Sequence, residues 1–141
     1  MAKPAFLNLW TNYPSESRPC DGAWSNQCAI RMSITLNAEG TLHVSSSTYS
    51  EPICTHGHAR GAESLANWLW RRIQRPTIFT SATKAKEDLA SKQGIIFFKD
   101  CFTRQGETVR RGDHIDLWNK GLAKTYSDPD NLAAQVWFWE L

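Results

Sequence analysis

The spacing of apolar and polar positions divides the chain into a helical first part and a strand-rich second part. From Cys28 onward, Ala29, Ile30, Ser33, Ile34, Asn37 and Ala38 recur at the three- and four-residue spacing of one helix face, which predicts a helix over residues 26–37. Ser25 or Asn26 can cap its start, because a short side-chain oxygen accepts from the unpaired N–H groups of a first turn. Gly40 predicts its end. A second helix is predicted over residues 61–75, with Ala62, Leu65, Ala66, Leu69 and Ile73 on one apolar face and Pro76 as its stop. Arg71, Arg72 and Arg75 fall at the end where the helix dipole is negative and read as a solvated terminus. A shorter helix is predicted from Thr83 to Ser91, with Lys84, Lys86, Glu87 and Asp88 outward and Gly94 as its terminator.

From Gly94 the period changes. Ile95 to Phe98 reads as a short strand buried on both faces, with Cys101 just past it as an inert buried thiol. Residues 103–113 read as a polar turn, and His114 to Trp118 as the next strand. Leu122 to Tyr126 is its hairpin partner across Asn119-Lys120-Gly121, and Gln135 to Leu141 ends the chain as a strand. Before the first predicted helix, Phe6 to Trp10 is expected to pack on the body of the fold and to lead into a loop marked by Pro14, Pro19 and Gly22. Residues 41–60, rich in Ser and Thr and broken by Pro52 and Gly57, read as a loop over the surface. Helices followed by a run of antiparallel strands is the α+β pattern.

Composition narrows the function classes. A chain of 141 residues is enough for one domain, so residues 1–141 are expected to form one. Hydrophobic content of 41% and charged content of 21% are those of an ordinary globular protein. A net charge of +2 without a basic stripe gives no case for nucleic acid. No window has the length of a membrane span, and Met1 to Asn8 lack the apolar run of an export signal. The seven tryptophans read chiefly as core, some of them as candidates to line a groove.

The chemistry rests on cysteine and histidine. With Cys28 set aside as a nucleophile, Cys20, Cys54 and Cys101 allow at most one disulfide, so this is not a disulfide scaffold. Cys54, His56 and His58 alternate but lack a second ligand pair, so no metal site is expected from them. A thiol at the first turn of a helix lies near the positive end of the dipole, which favours the nucleophilic thiolate. His114, far downstream at the start of a strand, can be the imidazole that takes the thiol proton. A Cys and a distant His that meet only in the fold are how a cysteine peptidase or amidase reads. Such a pair needs a third group to orient the ring. Asp116 shares a strand face with His114 but is expected to point alongside it; Asp128 and Asp130 could fold back, and Thr125 and Asn119 are weaker candidates. A buried structural cysteine is the alternative to catalysis.

Four blocks carry a resemblance to a known family: Asn26-Gln27-Cys28-Ala29-Ile30-Arg31-Met32-Ser33, Arg60-Gly61-Ala62-Glu63-Ser64-Leu65-Ala66-Asn67-Trp68-Leu69, Gly94-Ile95-Ile96-Phe97-Phe98-Lys99-Asp100 and Gly112-Asp113-His114-Ile115-Asp116-Leu117-Trp118-Asn119. Together they resemble the fourth family of type VI secretion amidase effectors. The resemblance implies a papain-like fold of the cell-wall cysteine peptidase type, with N-terminal helices packed on an antiparallel sheet. It implies a toxin made in the cytoplasm, exported by the type VI apparatus and active in the periplasm of neighbouring bacteria. Its expected reaction is hydrolysis of the D-glutamyl–meso-diaminopimelate bond of peptidoglycan stem peptides, without a cofactor. A cognate immunity protein is the expected partner, and one disulfide formed after delivery is expected in that oxidising compartment. By position the nucleophile falls on Cys28, the general base on His114 and the third member on Asp128, with Asp116 as its rival. The alternative reading is a catalytically inactive module that binds peptidoglycan or docks a secretion component.

Overall fold

A computed structural model describes residues 3–15, 19–20, 27–104, 106–125 and 131–141 of the chain. Its internal contacts divide it into two compact units, residues 1–74 together with Leu141, and residues 75–140. Among the described residues, no helix is long and apolar enough to cross a membrane.

Among the described residues, the first unit holds three helices: α1 (Phe6–Asn12), α2 (Cys28–Glu39) and α3 (Ala62–Arg72). The helix α1 was not predicted; Phe6 and Leu9 form its buried side, and the Thr35 hydroxyl of α2 donates to the Leu9 carbonyl. The predicted caps Ser25 and Asn26 lie outside the described residues. The N-cap position is Gln27, whose side chain makes no capping hydrogen bond. The helix runs to Glu39 and stops at Gly40, which takes the left-handed conformation at φ 95° that a glycine adopts without penalty.

The buried face of α2 is wider than its apolar spacing suggests. Met32, Thr35 and Leu36 are buried while Ala38 is exposed. The reason lies in the polar positions, which anchor the following segment. Ser33 donates to the Ala29 carbonyl and accepts from the Ala59 N–H, and Asn37 bonds both the N–H and the carbonyl of Val44. Residues 41–60 therefore are not a loop lying over the surface: Val44, Tyr49, Cys54 and Ala59 are buried. A disulfide between Cys20 and Cys54 ties this segment to the stretch before α2. In α3 the predicted face of Ala62, Leu65, Ala66 and Leu69 is buried, and Ile73 just past the helix joins it. The guanidinium of Arg72 lies 5.2 Å over the ring of Trp68, so this arginine covers an aromatic face as well as meeting solvent.

Among the described residues, the second unit forms a five-stranded antiparallel sheet in the order β1-β5-β2-β3-β4, with helix α4 (Ala82–Asp88) beside β1 and β5. Ser81 caps α4 by accepting from the Lys84 N–H. The strands are β1 (Thr77–Phe79), β2 (Gln93–Phe102), β3 (Gly112–Asn119), β4 (Leu122–Ala123) and β5 (Gln135–Glu140). Being only three residues long, the edge strand β1 gave no periodic signal. Central β2 is longer than predicted: Lys99 and Asp100 look like a loop, but the strand passes through them, so Cys101 lies within β2. Ile96, Phe98, Trp118, Val136 and Phe138 pack with Ala82, Ala85 and Leu89 into the core beside α4.

Candidate functional site

Each unit carries part of the predicted chemistry. In the first, Cys28 is the first residue of α2 and is buried. Cys54, the only cysteine of the alternating Cys54–His56–His58 run, is bonded to Cys20, so that run cannot supply a thiolate ligand. Cys28 and Cys101 are the cysteines outside the disulfide. The helical N–H groups of a first turn have no partner within their own helix, so the start of α2 offers donors as well as a thiol.

In the second unit, β2 and β3 pair with Phe98 opposite His114 and Ile96 opposite Asp116. Directly opposed residues share a face, so His114, Asp116 and Trp118 point to the side of Ile96 and Phe98. The His114 ring stacks on Phe98, with centroids 6.3 Å apart and planes 12° from parallel. The ladder is interrupted between Phe98 and Phe102, where Asp100 takes φ 54° and gives its N–H to the Asp113 carboxylate at 2.8 Å. This bulge anchors β3 one residue before His114.

Asp116 does not point alongside the imidazole, as its position on the strand suggested. His114 Nε2 lies 2.9 Å from Asp116 Oδ2, and both residues are buried. The physical reason is the reach of the longer imidazole, whose outer nitrogen spans the gap to its i+2 neighbour on the same face. A carboxylate only accepts, so Nε2 carries the proton and Nδ1 is the basic nitrogen of the neutral ring. Asp116 is fully buried and also accepts from the Leu117 N–H on Oδ1 and from the Thr125 N–H and hydroxyl on Oδ2. Burial alone would push this carboxyl up, but the His114 hydrogen bond and charge, with the two Thr125 donors, hold it below its ordinary value.

The sequence sets this arrangement through a turn. β3 pairs with β4 as Trp118 with Ala123 and Asn119 with Leu122, leaving Lys120 and Gly121 as a two-residue loop with φ 53° and 96°. Both values are positive, as a type I′ hairpin requires, and Lys120-Gly121 supplies the glycine where strain would be greatest. The Lys124 N–H then bonds the Leu117 carbonyl, and continuing the same register sets Thr125 against Asp116. Asn119, another candidate for the third group, stands at the turn end of β3 and accepts from Gln93. Asp128 and Asp130 lie outside the described residues.

A family model described as Tae4, Type VI secretion system amidase effector protein 4, matches residues 24–139. The chain is similar in structure to the type VI effector Tae4 from Enterobacter cloacae, with 22% identity, a TM-score of 0.74 and coverage of 100% of this chain and 99% of that one. It is similar to Tae4 in the Tae4–Tai4 effector–immunity complex from Salmonella Typhimurium, with 21% identity, a TM-score of 0.74 and 99% of each chain covered. The effector of the Enterobacter cloacae Tae4–Tai4 complex gives 21% identity and a TM-score of 0.70, again over 99% of each chain. No curated protein matches the sequence. These likenesses establish the expected α+β, papain-like fold.

Proposed function

The chain belongs to the type VI secretion amidase effector 4 family, and from that premise we propose a cysteine amidase whose nucleophile is Cys28 and whose general base is His114. The observation that carries the reading is the buried His114–Asp116 pair, which commits Nε2 as a donor and leaves Nδ1 as the base. The retention of Cys28 as a thiol, outside the disulfide, supports it. In the proposed reaction the Cys28 sulfur attacks the carbonyl carbon of the D-glutamyl–meso-diaminopimelate bond while its proton passes to His114 Nδ1. N–H groups at the start of α2 stabilise the oxyanion. The C–N bond breaks, His114 returns the proton to the leaving amine, and water hydrolyses the thioester.

Asp116 is the orienting group we propose, supported by its contact with the ring. Asp128, which the resemblance points to, is compared with it by mutation below. The family model spans both compact units, which supports one amidase domain over residues 1–141. The solved Tae4–Tai4 complexes support a cognate immunity protein as partner. Peptidoglycan as the proposed substrate supports action in the periplasm of the target cell, reached through the type VI apparatus.

The test is mass spectrometry of purified muropeptides incubated with the parent protein and with Cys28→Ala. Cleavage beyond D-glutamate by the parent alone is expected. Equal cleavage by Cys28→Ala would overturn the nucleophile, and intact muropeptides with both proteins would favour a binding or docking module.

A further inference from the structure

We propose that Thr125 is a positioning residue that fixes the tautomer and orientation of the His114 imidazole. The inference rests on the reading of His114 as general base. Thr125 reaches the pair from the return arm of the β3–β4 hairpin, with two groups aimed at one oxygen. Its hydroxyl donates to Asp116 Oδ2 at 2.7 Å, and its main-chain N–H donates to the same atom at 2.9 Å. The single hydroxyl proton is thereby committed, so only lone pairs remain on Oγ1. His114 Nε2 lies 3.3 Å from that oxygen and 2.9 Å from Asp116 Oδ2. One N–H is thus shared between two acceptors, each of which is held by the other.

This triangle gives Thr125 a double effect. It keeps Oδ2 where the imidazole proton needs it, and it supplies a second acceptor for Nε2–H. The opposite tautomer would leave Nε2 as a lone pair facing two oxygens that carry no available proton. The side chain is otherwise exposed, so it has little packing of its own to lose. That separates the proposed role from a core role, and it selects the variants. Thr125→Val keeps the shape and the main-chain donor while deleting the hydroxyl. Thr125→Ser restores it.

The experiment compares muropeptide hydrolysis by the parent, Thr125→Val and Thr125→Ser, together with the His114 Nε2–H resonance in ¹⁵N-labelled protein. For Thr125→Val, kcat is expected to fall about tenfold with KM unchanged, the scale of one hydrogen bond to a charged group. The Nε2–H signal is expected to broaden through faster exchange with water. Thr125→Ser is expected to lie within about twofold of the parent, since it keeps the same donor and acceptor. A Thr125→Val protein with parental kcat and a parental Nε2–H signal would overturn the inference. If the parent cleaves nothing, the amidase reading fails by itself, and the resonance still decides whether Thr125 holds the ring. A resonance unchanged by the variant would then refute it.

Discussion

Replacing Asp116 by Asn tests the proposed site most directly, because the change is isosteric and four donors to the carboxylate are identified. The carboxylate accepts from His114 Nε2, from the Thr125 N–H and hydroxyl, and from the Leu117 N–H. An amide offers one accepting oxygen and one donating NH2. If the oxygen faces His114 and Thr125, the NH2 meets the Leu117 N–H, donor against donor. If the amide turns, the NH2 meets the Thr125 N–H and drives His114 to the tautomer with the proton on Nδ1. In the first orientation one buried donor is left unpaired, at about 1–3 kcal/mol. In the second the base nitrogen is already protonated and cannot take the thiol proton. The corresponding Asp-to-Asn change in a serine protease triad lowers kcat by roughly 10⁴ through the wrong tautomer. We therefore expect Asp116→Asn to lose on the order of 10³–10⁴ in kcat, to keep KM, and to lose about 2 kcal/mol of stability. Muropeptide hydrolysis followed by chromatography gives the rate, and thermal melting gives the folded fraction at the assay temperature. A folded Asp116→Asn protein that cleaves at the parental rate would refute the argument. If Asp128→Asn loses activity instead, the orienting role passes to Asp128.

Two further predictions concern stability. The Asp116 carboxyl lies below its ordinary 3.8 in the folded protein, so its contribution is complete above pH 3.8 and is lost as pH falls through the lower folded value. The melting temperature of the parent should thus drop more steeply below that pH than that of Asp116→Asn; identical slopes in a calorimetric pH series would contradict the coupling. The Cys20–Cys54 disulfide, with a sequence separation of 34, encloses α2 in its loop. Loop-closure entropy assigns it about 4 kcal/mol, so Cys20→Ser with Cys54→Ser should melt about 10 °C below the oxidised parent; an unchanged melting curve would show that the crosslink does not constrain the unfolded chain.

The parts of the fold legible in the sequence are those whose signal is local and repeated. The face of α3 recurs over three turns, although the helix ends at Arg72, short of the predicted stop at Pro76, and Gly40 marks the end of α2 because few other residues take its positive φ. The strands of the second unit showed as apolar runs between turn residues. Single turns and polar interruptions were not legible: α1 has no side-chain cap, and Lys99 and Asp100 disguise the continuation of β2 through a bulge. Among candidate site residues, Cys28 and His114 were visible by type and context. The relation of Asp116 to His114 was not, because a period of two says which face a side chain is on, not how far it leans along the strand.

A signal for Asp116 was nevertheless present. An aspartate between Ile115 and Leu117, on the same face as Trp118, stands where a strand buried on both sides offers no water. A carboxylate there must be hydrogen-bonded or paired, since an isolated buried charge is far too costly. The nearest groups able to meet it are the residue two positions back and whatever the next strand returns. His114 and, through the Lys120-Gly121 turn, Thr125 are those groups. An apolar residue at position 116 would satisfy the strand with no such demand, and replacing buried ion pairs by apolar side chains is often neutral or stabilising. The carboxylate therefore gives the strand little that packing alone would not, whereas it does commit the His114 proton. That asymmetry is the physical argument for reading the pair as chemistry rather than architecture.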